Sequence, residues 1–148
     1  IVQGDTVYLQ GGFGDVFALD RATGEERWSS EPRGLNIGPF GVAVGDGRVY
    51  GMDAAIGVVA LDAADGTEAW ATDITATDTT GVDIQPVIAD GTVLASSVPI
   101  SIGGIYAPGD RGVVSALHEQ FPGLAAQEVF VLVAAAKRVF HGGGNPAP

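Results

Sequence analysis

The stretch VYLQGGFGDVFALDRATGEERW at Val7–Trp28 returns as VYGMDAAIGVVALDAADGTEAW at Val49–Trp70. The offset is 42 residues from the first position to the last, with no insertion or deletion. A fixed period of this size, filled with short apolar runs, is typical of the four-stranded blades of a β-propeller. The sequence therefore predicts an all-β fold of four-stranded antiparallel blades, arranged as an incomplete propeller.

The first copy of the repeat contains residues that favour a tight turn for known physical reasons. Asp20 can accept a backbone N–H two residues further on, and Gly24 allows a positive φ without steric cost. The tryptophans that close the two copies, Trp28 and Trp70, are expected to anchor contacts between blades. In the first unit the pattern predicts strands at Val7–Gln10, Val16–Leu19 and Glu25–Trp28.

Two hairpins extend the pattern beyond the repeated stretch. Apolar runs flank the turn residues Asp46-Gly47, and the same arrangement recurs at Asp90-Gly91, an offset of 44. Gly112–Leu117 repeats Gly14–Leu19 at an offset of 98. Further strands are predicted at Gly41–Val44, Arg48–Tyr50, Gly57–Leu61 and Glu68–Ala71.

We expect one partial propeller over residues 1–148, with blade units at about 1–28, 40–70 and 84–117. Linkers are predicted at 29–38 and 72–83, and an extra loop at 98–110. After Leu117 the repeat breaks, and His118 stands where the turn aspartate is expected. Residues 118–137 diverge, and 138–148 read as the start of a further blade. We therefore expect a longer parent protein, partners that supply the other blades, or an open stack of sheets.

Composition excludes some classes of function. The 18 acidic against 7 basic residues give a net charge of -11, which repels phosphate backbones, so nucleic acid is not an expected partner. The chain has no cysteine, which excludes disulfides and thiolate metal sites. The most apolar run, Val129–Ala136, is 8 residues long, and a membrane helix needs about 20.

The pattern Ala-Leu-Asp-x-x-Thr-Gly-x-x-x-Trp, with Val-Tyr upstream, resembles the repeat of pyrroloquinoline-quinone (PQQ) dependent dehydrogenases and their PQQ-like propeller relatives. Gln85–Ser97 resembles the family strand that leads into a Gly-Ser-Ser cofactor loop, and Arg111–Leu117 the segment after it. Val139–Pro148, with Gly144-Asn145-Pro146-Ala147-Pro148, resembles a further family motif. The resemblance covers residues 1–117 and 138–148.

The resemblance implies a fragment of a quinoprotein-type oxidoreductase propeller that acts on an alcohol or sugar. Asn145 would then be a calcium ligand, and Ser96 and Ser97 would lie against the cofactor carboxylates. The implied cofactors are PQQ and calcium in the full-length parent, with none expected for this piece alone. The catalytic aspartate would lie beyond Pro148, so no catalytic residue is assigned.

Several family features are missing, which keeps a second function open. The adjacent cysteine pair is absent, Val98-Pro99-Ile100 stands where a calcium-ligating glutamate is expected, and Gly38–Gly41 replaces a cofactor-contacting arginine. The alternative is a cofactor-free PQQ-like propeller that serves as a protein-binding scaffold. Expected partners are therefore a small alcohol or sugar, or a protein; self-association through open blade edges is a further expectation.

Other chemistry finds little support in the sequence. His118 and His141 are interpreted as a divergent turn position and as a packing or surface residue. Gly142–Gly144 lacks the lysine and hydroxyl residue of a phosphate loop, and no Gly-x-Ser-x-Gly elbow is present. The family resemblance implies an extracytoplasmic location, although this chain begins without a signal-peptide pattern.

Overall fold

The computed structural model describes residues 1–36, 40–53, 57–74, 80–81, 84–99 and 114–118. Every regular element among them is a β-strand, which confirms the all-β prediction. The first sheet, blade one, consists of β1 (Val2–Gln3), β2 (Thr6–Gln10), β3 (Val16–Asp20) and β4 (Glu26–Ser29). Blade two consists of β5 (Ala43–Gly45), β6 (Arg48–Asp53), β7 (Gly57–Asp62) and β8 (Glu68–Asp73). Both sheets are antiparallel with the strands in chain order.

Blade three shows three strands in its described part: β10 (Val87–Ala89), β11 (Thr92–Ser96) and β13 (Val114–His118). Its register repeats that of the other blades, because His118 lies opposite Thr92 as Asp20 lies opposite Thr6. His118 thus occupies the position of the turn aspartate, as the sequence predicts. The prediction for residues 118–137 and 138–148 lies outside the described residues, apart from His118 itself.

The structure confirms the two predicted hairpins. Asp46 and Asp90 have φ of 46° and 48°, and the glycines after them have φ of 75° and 71°. Positive φ at both central residues is the requirement of the type I′ turn, whose twist matches the strands it joins. A short polar residue followed by glycine therefore fixes these hairpins.

Two segments expected to be linker or loop contain a small sheet. β9 (Thr80–Gly81) pairs antiparallel with β12 (Val98–Pro99). The predicted linker 72–83 therefore contains the end of β8 and all of β9, and the predicted loop 98–110 begins with a strand. The pairing is between residues 17 or more apart in the chain, so no local sequence pattern marks it.

A bulge recurs at the same place in both complete repeats. Ala18 lies opposite Trp28 while Leu19 lies opposite Glu26, so Arg27 is the extra residue. In blade two the pairs Ala60–Trp70 and Leu61–Glu68 leave Ala69 as the extra residue. A bulge bends the strand and increases its twist, which suits a propeller blade.

The core lies between the blades rather than within one sheet. One face of blade one packs on one face of blade two, through the buried cluster Tyr8, Val16, Ala18, Trp28, Val42, Val49, Val59 and Leu61. The opposite face of blade two packs on blade three, through Ala43, Tyr50, Met52, Val58, Ala60, Ile74, Val93, Ala95 and Leu117. Each blade is therefore stabilised by burial against its neighbour.

Candidate functional site

Antiparallel blades return the chain to the same end after every second strand, and Ser96 and Ser97 lie at this end. We call it the loop face, defined by Gln10–Asp15, Ser30–Asn36, Met52–Asp53 and Ser96–Ser97 among the described residues. β11 ends at Ser96, which is half-buried and lies opposite Val114 at the start of β13. Ser97 follows and is buried. The two serines therefore lie at the end of β11, between two strands of blade three, and their contact with a cofactor stays a prediction.

The side-chain amide of Gln10 joins blades one and two on this face. Its Nε2 donates to the carbonyl of Met52 at 2.6 Å and to that of Gly14 at 3.1 Å, and its Oε1 accepts from Met52 N at 3.1 Å. β5 begins at Ala43, opposite Tyr50, so β6 extends past it at Met52. The Gln10 amide takes the place of a neighbouring strand there, and sequence analysis missed it because the equivalent repeat position holds methionine.

Arg33 ties the first linker to blade two. Its Nη1 lies 3.4 Å from Asp53 Oδ2, and its Nη2 pairs with Glu68. The Arg33 and Asp53 side chains are largely buried, so this pair is shielded from water and salt. The Arg33 and Gly34 amides both donate to the carbonyl of Phe13, which holds the linker against the β2–β3 loop.

Buried polar atoms without hydrogen-bond partners collect in the same region. Asn36 is only 5% exposed, and neither its amide oxygen nor its amide nitrogen has a partner. Asp15 Oδ1 and Arg33 Nε are likewise buried without partners. A buried polar group left unpaired costs about 1–3 kcal/mol, so these groups can offer both a donor and an acceptor to a bound molecule. Sequence reasoning did not single out any of them.

Of the residues predicted to bind the implied cofactors, the structure describes Ser96 and Ser97. Asn145 and His141 lie outside the described residues. The serine hydroxyls are hydrogen-bond donors of the kind that suits a carboxylate-bearing quinone. Within the described ranges no group of three or more His, Cys, Asp or Glu residues could hold a metal ion. The assignments of Ser96 and Ser97 as cofactor contacts and of Asn145 as a metal ligand therefore stay predictions.

At the opposite end of blade one, ion pairs of Arg27 stabilise the turn that begins at Asp20. Arg27 donates to Asp20 at 2.7 Å, to Asp5 at 3.1 Å and to Thr6 at 2.9 Å. The hydrogen bond from Arg27 lowers the pKa of Asp20, with help from the backbone amides of Thr23 and Ala22. Arg27 also lowers the pKa of Asp5. These contacts stabilise a turn and are remote in sequence from the serine loop.

The inter-blade position of Trp28 agrees with its predicted role. Its Nε1 donates to the carbonyl of Ala63 at 3.1 Å, and its ring lies 6.0 Å from the ring of Tyr8. Trp70 lies 5.8 Å from Tyr50, ring to ring, and packs against the cluster between blades two and three. Both tryptophans therefore border the contact of their blade with the next.

The repeated register, the inter-blade core and the tryptophan positions define a protein built of β-propeller repeats. A family model described as outer membrane protein assembly factor BamB matches residues 1–119, and the chain belongs to this family of PQQ-like propeller repeats. No helix in the described residues has the length and apolar character needed to cross a bilayer.

Solved structures show the same likeness. A quinohemoprotein alcohol dehydrogenase from Pseudomonas putida HK5 matches with a TM-score of 0.70 and 26% identity, over 82% of this chain and 19% of that one. A quinohemoprotein alcohol dehydrogenase from Comamonas testosteroni matches with a TM-score of 0.67 and 23% identity, over 82% and 19%. A europium-containing methanol dehydrogenase matches with a TM-score of 0.65 and 21% identity, over 82% and 22%.

The chain thus spans about one fifth of the length of these dehydrogenases, with coverage of 19% to 22%. No curated protein sequence matches it. The likeness to the alcohol dehydrogenase from Pseudomonas putida HK5, at 26% identity, supports a quinoprotein-like propeller.

Proposed function

We propose that this chain is part of a quinoprotein-type oxidoreductase propeller that acts on an alcohol or sugar, and that it is inactive as this piece alone. The observation that carries the proposal is the position of Ser96 and Ser97 at the end of β11 on the loop face. The 26% identity to a quinohemoprotein alcohol dehydrogenase supports it.

The proposed roles follow from the chemistry of the side chains. The hydroxyls of Ser96 and Ser97 donate hydrogen bonds to carboxylates of the quinone, and the amide oxygen of Asn145 is offered to a calcium or lanthanide ion. A bound quinone would supply a two-electron acceptor for oxidation of the alcohol, and a bound metal ion would supply a Lewis acid beside it. The chain's own residues hold and orient this group.

The test uses the complete gene product that contains these 148 residues. The apoprotein is titrated with PQQ in the presence of calcium or of a lanthanide, and quinone absorbance and the thermal unfolding midpoint are followed. We expect saturable binding that depends on the metal and raises the midpoint. No spectral change and no shift at saturating quinone and metal would sink the proposal.

Serine substitutions locate the contact. Ser96→Ala and Ser97→Ala should each weaken quinone binding about tenfold, roughly 1.4 kcal/mol, since each removes a hydrogen bond to a charged group. Ser29→Ala is the control, because Ser29 is exposed on β4 and its hydroxyl donates to Glu26. Equal affinities for all three variants would show that the quinone binds elsewhere.

A second function, a protein-binding scaffold without cofactor, is favoured by two exposed apolar side chains on the loop face. Phe13 and Leu35 are both exposed, and the backbone bonds from Arg33 and Gly34 to Phe13 hold their segments together. The family model described as an assembly factor supports the same function. Aromatic and aliphatic anchors on a rigid face are suited to extended peptides.

A peptide array separates the two functions. Under the scaffold proposal, peptides with aromatic or aliphatic anchors bind the chain, and Phe13→Ser with Leu35→Ser abolishes binding while Ser97→Ala leaves it unchanged. Peptide binding that is unchanged by the Phe13 and Leu35 substitutions would contradict the scaffold proposal.

We also propose an extracytoplasmic location for the parent protein. Cell fractionation of the tagged gene product tests this location, and recovery in the cytosol would overturn it.

A further inference from the structure

A short segment that leaves blade one crosses the loop face without joining a sheet. We call it the strap, defined as residues 31–36, none of which belongs to a strand. The residue before it is fixed, because Ser30 N donates to the carbonyl of Val16 at 2.8 Å and Ser30 Oγ accepts from Val16 N at 2.9 Å. The strap is therefore tied firmly to β3 at the end where it begins.

Three backbone hydrogen bonds hold the strap against the β2–β3 loop. The amides of Arg33 and Gly34 donate to the carbonyl of Phe13, at 2.8 Å and 3.0 Å. The amide of Asn36 donates to the carbonyl of Gly12 at 2.9 Å. Both acceptors lie in a loop rather than in a strand, so these bonds can break without the opening of a sheet.

The side chain of Arg33 joins the strap to blade two. Its guanidinium pairs with Asp53 and with Glu68, and the side chains of Arg33 and Asp53 are largely buried. Leu35, by contrast, is 60% exposed and adds little apolar burial to the closed strap. The strap is therefore held on blade two by an ion pair and not by an apolar contact.

The closed strap also buries polar atoms that have no partner. These atoms are both side-chain amide atoms of Asn36, Nε of Arg33 and Oδ1 of Asp15. A polar atom buried in this way loses its hydration and gains no hydrogen bond in return. Closing thus forms three backbone bonds and the ion pairs of Arg33 and leaves four polar atoms unpaired. The opposing contributions place the open and closed states close in free energy.

We propose that the strap lifts from the loop face as a unit while blades one and two stay folded, with Arg33 as the latch that closes it. In the open state the carboxamide of Asn36 and the carboxylates of Asp15 and Asp53 face solvent. The strap then controls the access of a ligand to this part of the loop face. That consequence rests on the proposed function, whereas the opening itself rests only on the contacts of the strap.

Hydrogen exchange of the complete gene product, without quinone, metal or peptide, tests the opening. We expect the amides of Arg33, Gly34 and Asn36 to exchange at least about tenfold faster than the protected amides of β6 and β7. Their rates should hardly change in low urea, since lifting the strap exposes little surface.

Two exchange results would overturn the proposal. One is equal protection and equal urea dependence of the strap amides and the amides of β6 and β7. The other is a complete lack of protection in the strap, because a latch must hold the closed state. Since no ligand is present, the exchange result does not depend on whether the loop face binds one, and a failed quinone titration leaves it unaffected.

Two substitutions should change the opening in opposite directions. Arg33→Gln removes the latch and should speed exchange at Gly34 and Asn36 about tenfold, because the carboxylates of blade two lose their partner. Asn36→Leu replaces an unpaired carboxamide by an apolar group of the same shape. It should slow exchange at Arg33 and Gly34 about tenfold, because the closed state then buries two fewer unpaired atoms. Faster exchange in Asn36→Leu would contradict the proposal.

Matched variants separate the latch from other arginine effects. Arg48→Gln is the control, because Arg48 begins β6 and pairs with Asp62 at 2.8 Å, whereas Asp53 ends β6. It should leave strap exchange unchanged. Glu68→Gln weakens the latch from blade two, at a side chain that is 47% exposed, and should speed strap exchange.

Circular dichroism verifies that the four variants stay folded. Faster strap exchange in Arg48→Gln would contradict the role of Arg33 as the latch. Unchanged strap exchange in both Arg33→Gln and Glu68→Gln would contradict it as well.

Discussion

At the scale of single residues, the bulge in blade one places a charge where it can bind two carboxylates. Arg27 is the extra residue of the bulge, and its guanidinium reaches Asp5 and Asp20. Blade two has Ala69 at that position and uses Arg48 instead, which pairs with Asp62 at 2.8 Å. The turn aspartate therefore keeps an arginine partner in both repeats, although the arginine comes from different strands.

Acid should weaken the protein in part through Arg27. The pKa values of Asp20 and Asp5 are lowered in the folded protein, chiefly by Arg27. Their stabilisation is therefore complete above the unfolded value of about 4 and is lost as the pH falls through the lowered pKa values. In Arg27→Gln, the urea midpoint should fall less steeply between pH 5 and pH 2 than in the unaltered chain.

The matched control for this pH series is Arg21→Gln, at an exposed arginine in the same turn. It should follow the pH dependence of the unaltered chain. Parallel curves for Arg27→Gln and the unaltered chain would show that the ion pairs carry no net stabilisation, as is common for exposed pairs.

At the scale of elements, two equivalent turns differ in whether a side chain of another blade packs on them. Gly24 and Gly66 end the same turn in the two repeats, both with φ of 76°. A Cβ on Gly24 would meet nothing within 4 Å, whereas one on Gly66 would lie 2.5 Å from the Trp28 ring. Gly66 therefore serves the contact between blades as well as the turn.

Alanine substitution of the two glycines separates the effect of the turn conformation from the effect of the contact with Trp28. Gly24→Ala should cost about 1 kcal/mol, the penalty of a side chain at positive φ. Gly66→Ala should cost about 1–3 kcal/mol more, because Trp28 must move. Urea unfolding of both variants measures the difference, and equal losses would mean that the Trp28 contact adapts without cost.

Sequence patterns predict the elements whose causes are local. Asp46-Gly47 and Asp90-Gly91 dictate their hairpins, and the repeat positions the long strands and Trp28. The strands β9 and β12 escape prediction because their pairing is long-range and only two residues long. The bulge at Arg27 is not predicted from the sequence either. Both copies of the repeat contain the bulge at the same position, so the spacing of the repeat does not reveal it.

The candidate site is less predictable than the fold. Ser96 and Ser97 can be placed from the repeat register and a family motif, and Asn145 lies beyond the described residues. Arg33 and Asn36 belong to a linker whose residues have no counterpart in the repeat, so no periodicity singles them out. Their burial depends on how the linker returns over the β2–β3 loop, which is a tertiary property.

At the scale of the whole molecule, the net charge of -11 makes the folded chain repel itself. Salt screens this repulsion, with a Debye length that falls from about 14 Å at 0.05 M to about 4 Å at 0.5 M. The thermal unfolding midpoint should therefore rise over that range of sodium chloride. Differential scanning calorimetry at a series of salt concentrations measures this, and a midpoint that falls with salt would indicate that ion pairs outweigh the repulsion.

The hydrogen bond between Gln10 and Met52 gives the molecule an internal reporter. The Met52 amide hydrogen is bonded to a side chain of the neighbouring blade, not to a strand of its own sheet. Its exchange with deuterium therefore requires the two blades to separate, whereas amides paired within β6 and β7 exchange when that sheet opens. Comparing the two rates would tell whether the blades part before they unfold, and the Gln10→Leu variant should speed exchange at Met52 alone.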